Sequence, residues 1–233
     1  MFRLAKLGHK LAKLVPQQCM LCLCNCQQLP CSHCRDAIAK FAHRAYGFNL
    51  MRWPKVASAL KPHSFHRVHA IGDYEYPLAK MITELKFQKR LSCAEALANC
   101  FSDSLRGRQH ALPQCIIPTP LYPTRYLQRQ FNQTVEIAIS VADQLELECR
   151  LNSLQRVRHT TAQVQLGRDQ RLANVADSFS CAVLPSHITH IALFDDVVTT
   201  GATMHAMRKA ILAANPNLII EIWAICIALA SLD

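Results

Sequence analysis

Apolar and polar positions follow two periods along the chain, one typical of helices and one typical of strands. Leu78, Met81, Ile82 and Leu85 recur at i, i+3, i+4 and i+7, which predicts a helix that opens at Pro77. Two further helices are predicted, with these inward positions: Leu97, Phe101 and Leu105 in residues 92–106, and Val135, Ile139, Ala142 and Leu145 in residues 133–145.

Short apolar runs lie between these helices and predict strands. They cover residues 68–76, 115–117, 191–194 and 218–230. The last run contains Glu221 and is shorter than the roughly 18 residues of a membrane span, so we interpret it as a buried strand. Strands that alternate with helices predict an α/β fold with a mainly parallel sheet flanked by helices, and no transmembrane segment.

The positive charge of the chain is concentrated in its first third. Of the net charge of +10, residues 1–72 carry six Lys and five Arg against Asp36 as their only acid. Residues 73–233 carry 15 basic and 15 acidic side chains. A basic region of this kind indicates an anionic partner, such as nucleic acid or a membrane surface, or else a solvated face. We expect a basic N-terminal region, residues 1–60, and a neutral body, residues 61–233.

The first 16 residues intersperse leucines with basic side chains. They lack the unbroken apolar core, of roughly 7–15 residues, that a secretion signal requires. We expect a cytoplasmic protein with a short amphipathic basic helix at this end. That helix either contacts nucleic acid or the inner face of the membrane, or packs on its own domain.

Six of the twelve cysteines fall between residues 19 and 34. Cys19 and Cys22 form one CxxC pair, and Cys31 and Cys34 form a second after eight intervening residues. Two such pairs predict a structural zinc site with four thiolate ligands. An iron–sulfur cluster also uses four thiolates, whereas a reducing compartment disfavours disulfides. Two neighbouring residues remain open as alternative ligands: Cys24 and Cys26.

Each of two polar stretches of the chain has two possible interpretations. Residues 35–55 interleave basic side chains with rings such as Phe41 and Trp53, a composition that suits single-stranded nucleic acid if the rings are exposed. The alternative is that the rings form the core of a small N-terminal module. Residues 154–178 predict a loop followed by a short helix, and their arginines form either a lid over phosphates or a solvated face: Arg156, Arg158, Arg168 and Arg171.

Residues 191–203 are the most informative segment. An apolar strand is followed by Asp195 and Asp196, then by a Thr/Gly loop, then by a helix. Gly201 allows a close approach of the backbone to a phosphate, which loop N–H groups and the helix N-terminus would hold. The two carboxylates suit ribose hydroxyls or a hydrated magnesium ion. The sequence therefore predicts a phosphate-and-sugar site made of Asp195, Asp196, Thr199, Thr200, Gly201, Ala202 and Thr203.

This segment resembles the phosphoribosyl-pyrophosphate (PRPP) loop of type I phosphoribosyltransferases. Other segments narrow the resemblance, notably the Pro118-Thr119-Pro120-Leu121 turn and Arg129-Gln130-Phe131-Asn132-Gln133. Together with the four-cysteine frame, they make the chain similar to the competence protein F (ComF, GntX-like) family. The family shows Gly where this chain has Gln130, so a positive φ there would strain the turn.

The resemblance implies a zinc-finger module on a type I phosphoribosyltransferase-like body that binds Mg–PRPP or a phosphorylated nucleotide. It also implies a role in natural transformation, with single-stranded DNA as a partner during DNA uptake and a translocase or helicase as a further one. By position, a second loop would face the pyrophosphate, through Thr119, Pro120, Arg125 and Arg129. Whether the chain transfers a phosphoribosyl group stays open. The alternatives are a magnesium-dependent phosphoribosyltransferase acting on an unidentified nucleobase or other acceptor, and a scaffold that senses the ligand without chemistry.

Overall fold

The computed structural model describes residues 17–60, 65–122, 130–157 and 178–228. The expected N-terminal helix, Arg125, Arg129 and three of the four arginines after residue 154 lie outside this part of the chain. The strands are β1 Gln17–Gln18, β2 Asn25–Cys26, β3 Arg67–Asp73, β4 Cys115–Pro118, β5 Glu148–Cys149, β6 Leu154–Arg156, β7 Phe179–Cys181, β8 His190–Val198 and β9 Ile219–Ile227. The helices are α1 Ser32–Asp36, α2 Pro54–Ala59, α3 Leu78–Gln88, α4 Ser92–Ser104, α5 Gln133–Leu145 and α6 Ala202–Ala214.

A five-stranded sheet organises the described part of the chain. Its strand order is β3-β9-β8-β4-β5, and every pairing is parallel. Two-stranded antiparallel ladders join β1 to β2 and β6 to β7. The predicted α/β fold with a mainly parallel sheet is therefore confirmed. None of the helices in the described residues has the length and hydropathy of a membrane-spanning segment.

Both faces of the sheet are covered, which is why its central strands are apolar throughout. Successive residues of a strand point to opposite faces, so Phe194 and Trp223 pack with α3, α4 and α5, whereas Leu193 and Ile222 pack with α6. The predicted stripe of α3 is confirmed, because all four of its apolar residues are buried.

Two details of the predicted elements are wrong. On α5, Ile139 is 42% exposed, and the buried positions include Ile137, Ala138 and Val141. With this rotation, the first residues of the helix, Gln133 and Thr134, contact the acid pair described below. Strand β8 also continues through Asp195 and Asp196 to Val198, since Asp195 still pairs with Ala224 of β9. The predicted strand ended before these acids.

The N-terminal region packs directly against the body. Asn99 of α4 donates a hydrogen bond to the carbonyl of Leu29 at 2.6 Å, and Arg35 pairs with Asp103 at 3.2 Å. The ring centroids of Phe41 and Trp53 lie 5.3 Å apart, and both rings contact the core beside α6. These two rings therefore serve packing, but against a core shared with the body rather than as the core of a separate N-terminal module. A domain boundary near residue 60 stays a prediction.

Candidate functional site

The acid pair lies at the carboxyl edge of the sheet, the end at which the parallel strands terminate. Asp195 accepts hydrogen bonds from the Thr134 hydroxyl at 3.4 Å and from the backbone N–H of Asp196 at 2.9 Å. Asp196 accepts from the Gln133 amide at 3.1 Å and from the N–H of Val197 at 2.9 Å. Each carboxylate is thus held in place by neutral donors.

The electrostatics of this pair differ from those of an ordinary surface acid. Burial raises the pKa of Asp195 well above its usual range, and the neighbouring Asp196 carboxylate raises it further. Asp196 is itself buried. Asp195 is partly buried, and the hydrogen bonds given above join both carboxylates to uncharged donors of the described residues. Two close carboxylates in this setting favour a ligand that brings a cation or hydroxyl donors.

The start of α5 holds this site together, a role that the sequence did not reveal. Asn132 caps the helix by accepting from the N–H of Thr134 at 3.0 Å, and its amide donates to the carbonyl of Thr119 at 3.0 Å. Thr119 in turn donates its N–H and hydroxyl to the carbonyl of Phe194, at 2.8 and 3.0 Å. The turn that contains Thr119 and Pro120 is therefore fixed beside the acid pair. An Asn before a predicted helix is an N-cap signal that could have located it.

The Thr/Gly loop leads from β8 into α6. Thr199 is exposed, and Thr200 and Thr203 are half-buried. Gly201 has φ of 74°, and its Cα lies against Leu60 and Phe65, since an added Cβ would stand 3.4 and 3.6 Å from their side chains. Gly201 is the N-cap of α6 and has no side chain to cap it, and the N–H of the buried Ala202 donates to the Thr200 hydroxyl at 3.4 Å. The N–H groups of a first helical turn have no partner within the helix, so such an end suits an anion.

Gln130 adopts the conformation that glycine favours. Its φ is 61°, and that of Lys89 is 55°. Lys89 donates a hydrogen bond from Nζ to Oε1 of Gln130 at 2.7 Å. A left-handed conformation costs a residue with a Cβ about 1–2 kcal/mol. The position at which the family has Gly therefore does have a positive φ, and Gln130 occupies it in this chain. Gln130 lies three residues before the start of α5.

The candidate metal centre lies in the N-terminal region. The sulfurs of Cys19, Cys22, Cys31 and Cys34 all lie within 4.8 Å of one another. Tetrahedral zinc with Zn–S distances of about 2.3 Å separates its sulfurs by about 3.8 Å, so the donor set fits that ion. Cys31 also begins α1 as its N-cap, and its sulfur accepts from the N–H of Cys34 at 3.5 Å. These cysteines can hold a metal ion, consistent with zinc.

The pKa values of the thiols in and beside this cluster differ widely. Burial raises the pKa of Cys19, but hydrogen bonds from backbone N–H groups, first that of Cys31, lower it to about 6. A hydrogen bond with Cys22, 3.2 Å away, raises the pKa of Cys24 to about 12. Burial also raises the pKa of Cys34. Thiolates this close together need a shared cation before all four can ionise.

The fold and these sites define a class: an α/β protein whose parallel sheet carries an acid pair and a Thr/Gly loop, with a four-cysteine module packed on it. The chain is 32% identical to competence protein F of Haemophilus influenzae over 188 residues, which cover 77% of this chain and 82% of that protein. It is 31% identical to DNA utilization protein YhgH of Salmonella typhi and 30% identical to that of Escherichia coli K12, each over 170 residues. These alignments cover 71% of this chain and 74% of each relative. The chain belongs to the competence protein F (ComF) family. No protein-family model matches it.

Proposed function

We propose that this chain acts in DNA uptake during natural transformation, and that its body binds Mg–PRPP or a related phosphorylated nucleotide at the carboxyl edge of the sheet. The relatives named competence protein F and DNA utilization protein support the first part. One observation carries the second part. Hydrogen bonds join the acid pair, the Thr119 turn and the start of α5 at the edge from which β8 leads into the Thr/Gly loop.

Each part of this edge has a distinct role in the proposal. Asp195 and Asp196 accept the ribose hydroxyls or the waters of a hydrated magnesium ion, because their partners among the described residues are neutral donors. The N–H groups that follow Gly201 receive the 5′-phosphate. The Thr119 turn, with Pro120 and with Arg125 and Arg129 beyond the described residues, receives the pyrophosphate.

The N-terminal region completes the proposal. Its four cysteines hold structural zinc, and the metal stabilises a module too small to bury a core of its own. Single-stranded DNA binds the basic residues, and the strength of that binding falls as salt rises because the bound phosphates release counterions.

Isothermal titration with Mg–PRPP tests the ligand site. We expect saturable binding by the wild type. The double variant Asp195→Asn with Asp196→Asn should lose on the order of a few kcal/mol of binding free energy, because it loses charge-assisted hydrogen bonds. The matched control neutralises two acids elsewhere on the body, Glu136→Gln with Glu146→Gln, and should bind as the wild type does. Equal affinity in the acid-pair variant and the wild type would exclude this assignment.

The second candidate is phosphoribosyl transfer. The observation that favours it is the fixed Thr119 turn beside Asp195, which provides loops on two sides of a bound PRPP. Transfer would proceed through an oxocarbenium-like state, which positioning and charge would stabilise. Pyrophosphate release from Mg–PRPP, screened across nucleobases and other nucleophiles, measures it. If Mg–PRPP binds but no acceptor causes pyrophosphate release, the chain is a scaffold that senses the ligand without transferring a group.

A further inference from the structure

A group of arginines lies at the amino edge of the sheet, the end opposite the acid pair. Arg67 opens β3 and stands in register with Glu221 of β9. Arg108, in the loop after α4, donates from both terminal nitrogens to the two carboxylate oxygens of Glu221, at 2.9 and 2.7 Å. The side chains of Arg67 and Arg108 are only 11% and 2% exposed. We call the following exposed residues of this edge the arginine face: Arg44, Arg52 and Arg106.

Two of these guanidinium groups are exposed and lie over glycines. A Cβ on Gly47 would stand 2.7 Å from Nη1 of Arg52, and one on Gly107 would stand 3.5 Å from Nη2 of Arg44. Arg67 also donates to the carbonyl of Gly47 at 3.3 Å. Within the part of the chain that the structure describes, neither Arg44 nor Arg52 forms an ion pair. Both residues are exposed, so a ligand in solution can reach them.

The carboxylates of this region are already shared among several cations. Glu221 pairs with Arg67 at 3.2 Å and with Arg108 at 2.7 Å. Asp103 pairs with Arg106 at 2.8 Å as well as with Arg35. The positive charge is consequently in excess, and it reaches the solvent. The charge of Arg67, more than any other group, lowers the pKa of His110, although His110 is exposed.

We propose that the arginine face binds the phosphodiester groups of single-stranded DNA. This inference rests on the proposed role in DNA uptake and assigns the DNA a surface opposite the proposed PRPP site. Planar guanidinium groups match phosphate oxygens in pairs, and a polymer can contact Arg44 and Arg52 of the N-terminal region together with Arg106 of the body.

The aromatic side chains make base stacking a minor part of this binding. Tyr46 stacks on Trp53 with their ring centroids 5.6 Å apart, and Phe41 packs against the edge of the same ring. The exposed aromatic side chains of the described residues lie elsewhere, on the loop after β3 and on α3: Tyr74, Tyr76 and Phe87. We therefore expect recognition of phosphate charge, with little preference among bases.

The test is fluorescence anisotropy of a labelled oligothymidylate, with the full-length protein at several salt concentrations. Arg44→Glu with Arg52→Glu should weaken binding at least about tenfold, and the slope of log affinity against log salt should fall by roughly 1.4, about 0.7 for each lost phosphate contact. The control, Lys86→Glu with Lys209→Glu, makes the same change of charge on α3 and α6, which carry no part of the arginine face. It should bind much more tightly than the arginine variant.

The outcomes separate this inference from the function on which it rests. Both arginines are exposed, so the variant should keep the wild-type melting temperature and its affinity for Mg–PRPP. If the wild type binds the oligonucleotide and the arginine variant binds it equally well, the arginine face is overturned while the DNA role stands. If the wild type does not bind DNA, the proposed function itself fails. Loss of binding to phosphatidylglycerol vesicles in the arginine variant, with DNA affinity unchanged, would overturn the inference in favour of a membrane surface.

Discussion

The two ends of the parallel sheet hold buried carboxylates in opposite ways. At the amino edge, Glu221 is 1% exposed, accepts hydrogen bonds from Arg108, His190 and Trp223, and forms an ion pair with Arg67. At the carboxyl edge, the partners of Asp195 and Asp196 among the described residues are neutral donors.

The pKa values of these carboxylates record the difference. Burial raises the pKa of Glu221, but hydrogen bonds with His190 and Arg108 and the charge of Arg108 bring it down to about 2. Burial together with Asp196 raises the pKa of Asp195. An acid with its own counter-charge serves the fold, whereas acids without one are free to bind a ligand that supplies it. The four cysteine thiols of the candidate metal centre resemble Asp195 and Asp196, because they too need a bound cation to balance their charge.

Removal of the metal should lower stability more than any other change, because the four thiolates then lose the cation that they share. Structural zinc binds zinc-finger peptides with about 10–16 kcal/mol, and that binding free energy is folding free energy. Cys19→Ser should therefore abolish stoichiometric zinc and unfold the module around it. Metal analysis with hydrogen exchange over residues 17–34 measures both effects.

Cys24, a neighbouring cysteine outside the four-cysteine cluster, offers a matched control for Cys19→Ser. Cys24→Ser should keep one zinc per chain, because the cluster that fits a tetrahedron consists of Cys19, Cys22, Cys31 and Cys34. If zinc were lost from Cys24→Ser and kept in Cys19→Ser, the ligand set would be wrong.

Glu221→Gln should cause the second-largest loss of free energy of unfolding. It leaves Arg108 and Arg67 buried without their counter-charge, and breaking a buried ion pair from one side costs about 3–5 kcal/mol. The midpoint of urea unfolding measures the loss. Glu148→Gln is the control, because its ion pair with Arg150 involves a carboxylate that is 53% exposed and contributes about 0–1 kcal/mol. A loss of similar size in both variants would mean that Glu221 is not a structural centre.

The sequence predicted the elements and the candidate site residues, but not the partners that hold the buried carboxylates. The order of strands and helices and the acid pair follow from local patterns, and so does the four-cysteine frame. Glu221 looked like an interruption of an apolar run, because Arg67 and Arg108 lie 154 and 113 residues away along the chain. The roles of Gln133 and Thr134 were hidden for the same reason, since their contacts with the acids cross more than 60 residues.

The pH dependence of stability should distinguish the two edges as well. Glu221 has a folded pKa of about 2 against its usual 4.5, so it contributes stability above pH 4.5 that is lost as the pH falls towards 2. That shift corresponds to about 3 kcal/mol. Because Gln resembles a protonated Glu, the difference between wild type and Glu221→Gln should shrink below pH 4.5. Urea unfolding from pH 6 to pH 3 measures it, and a constant difference would contradict the ion-pair account.

Asp195→Asn should have the smallest effect on stability, and of the opposite sign. Because the folded pKa of Asp195 is raised above its usual 3.8, this group favours the folded state at low pH, and that contribution is lost as the pH rises through the folded pKa. The amide removes the repulsion from Asp196 and still accepts from Thr134, so the variant should gain about 1 kcal/mol at neutral pH. Asp36→Asn, at an exposed acid of α1, should change stability by less than about 0.5 kcal/mol. A loss of stability in Asp195→Asn would show that this carboxylate serves the fold as Glu221 does, and would remove the reason to assign it to a ligand.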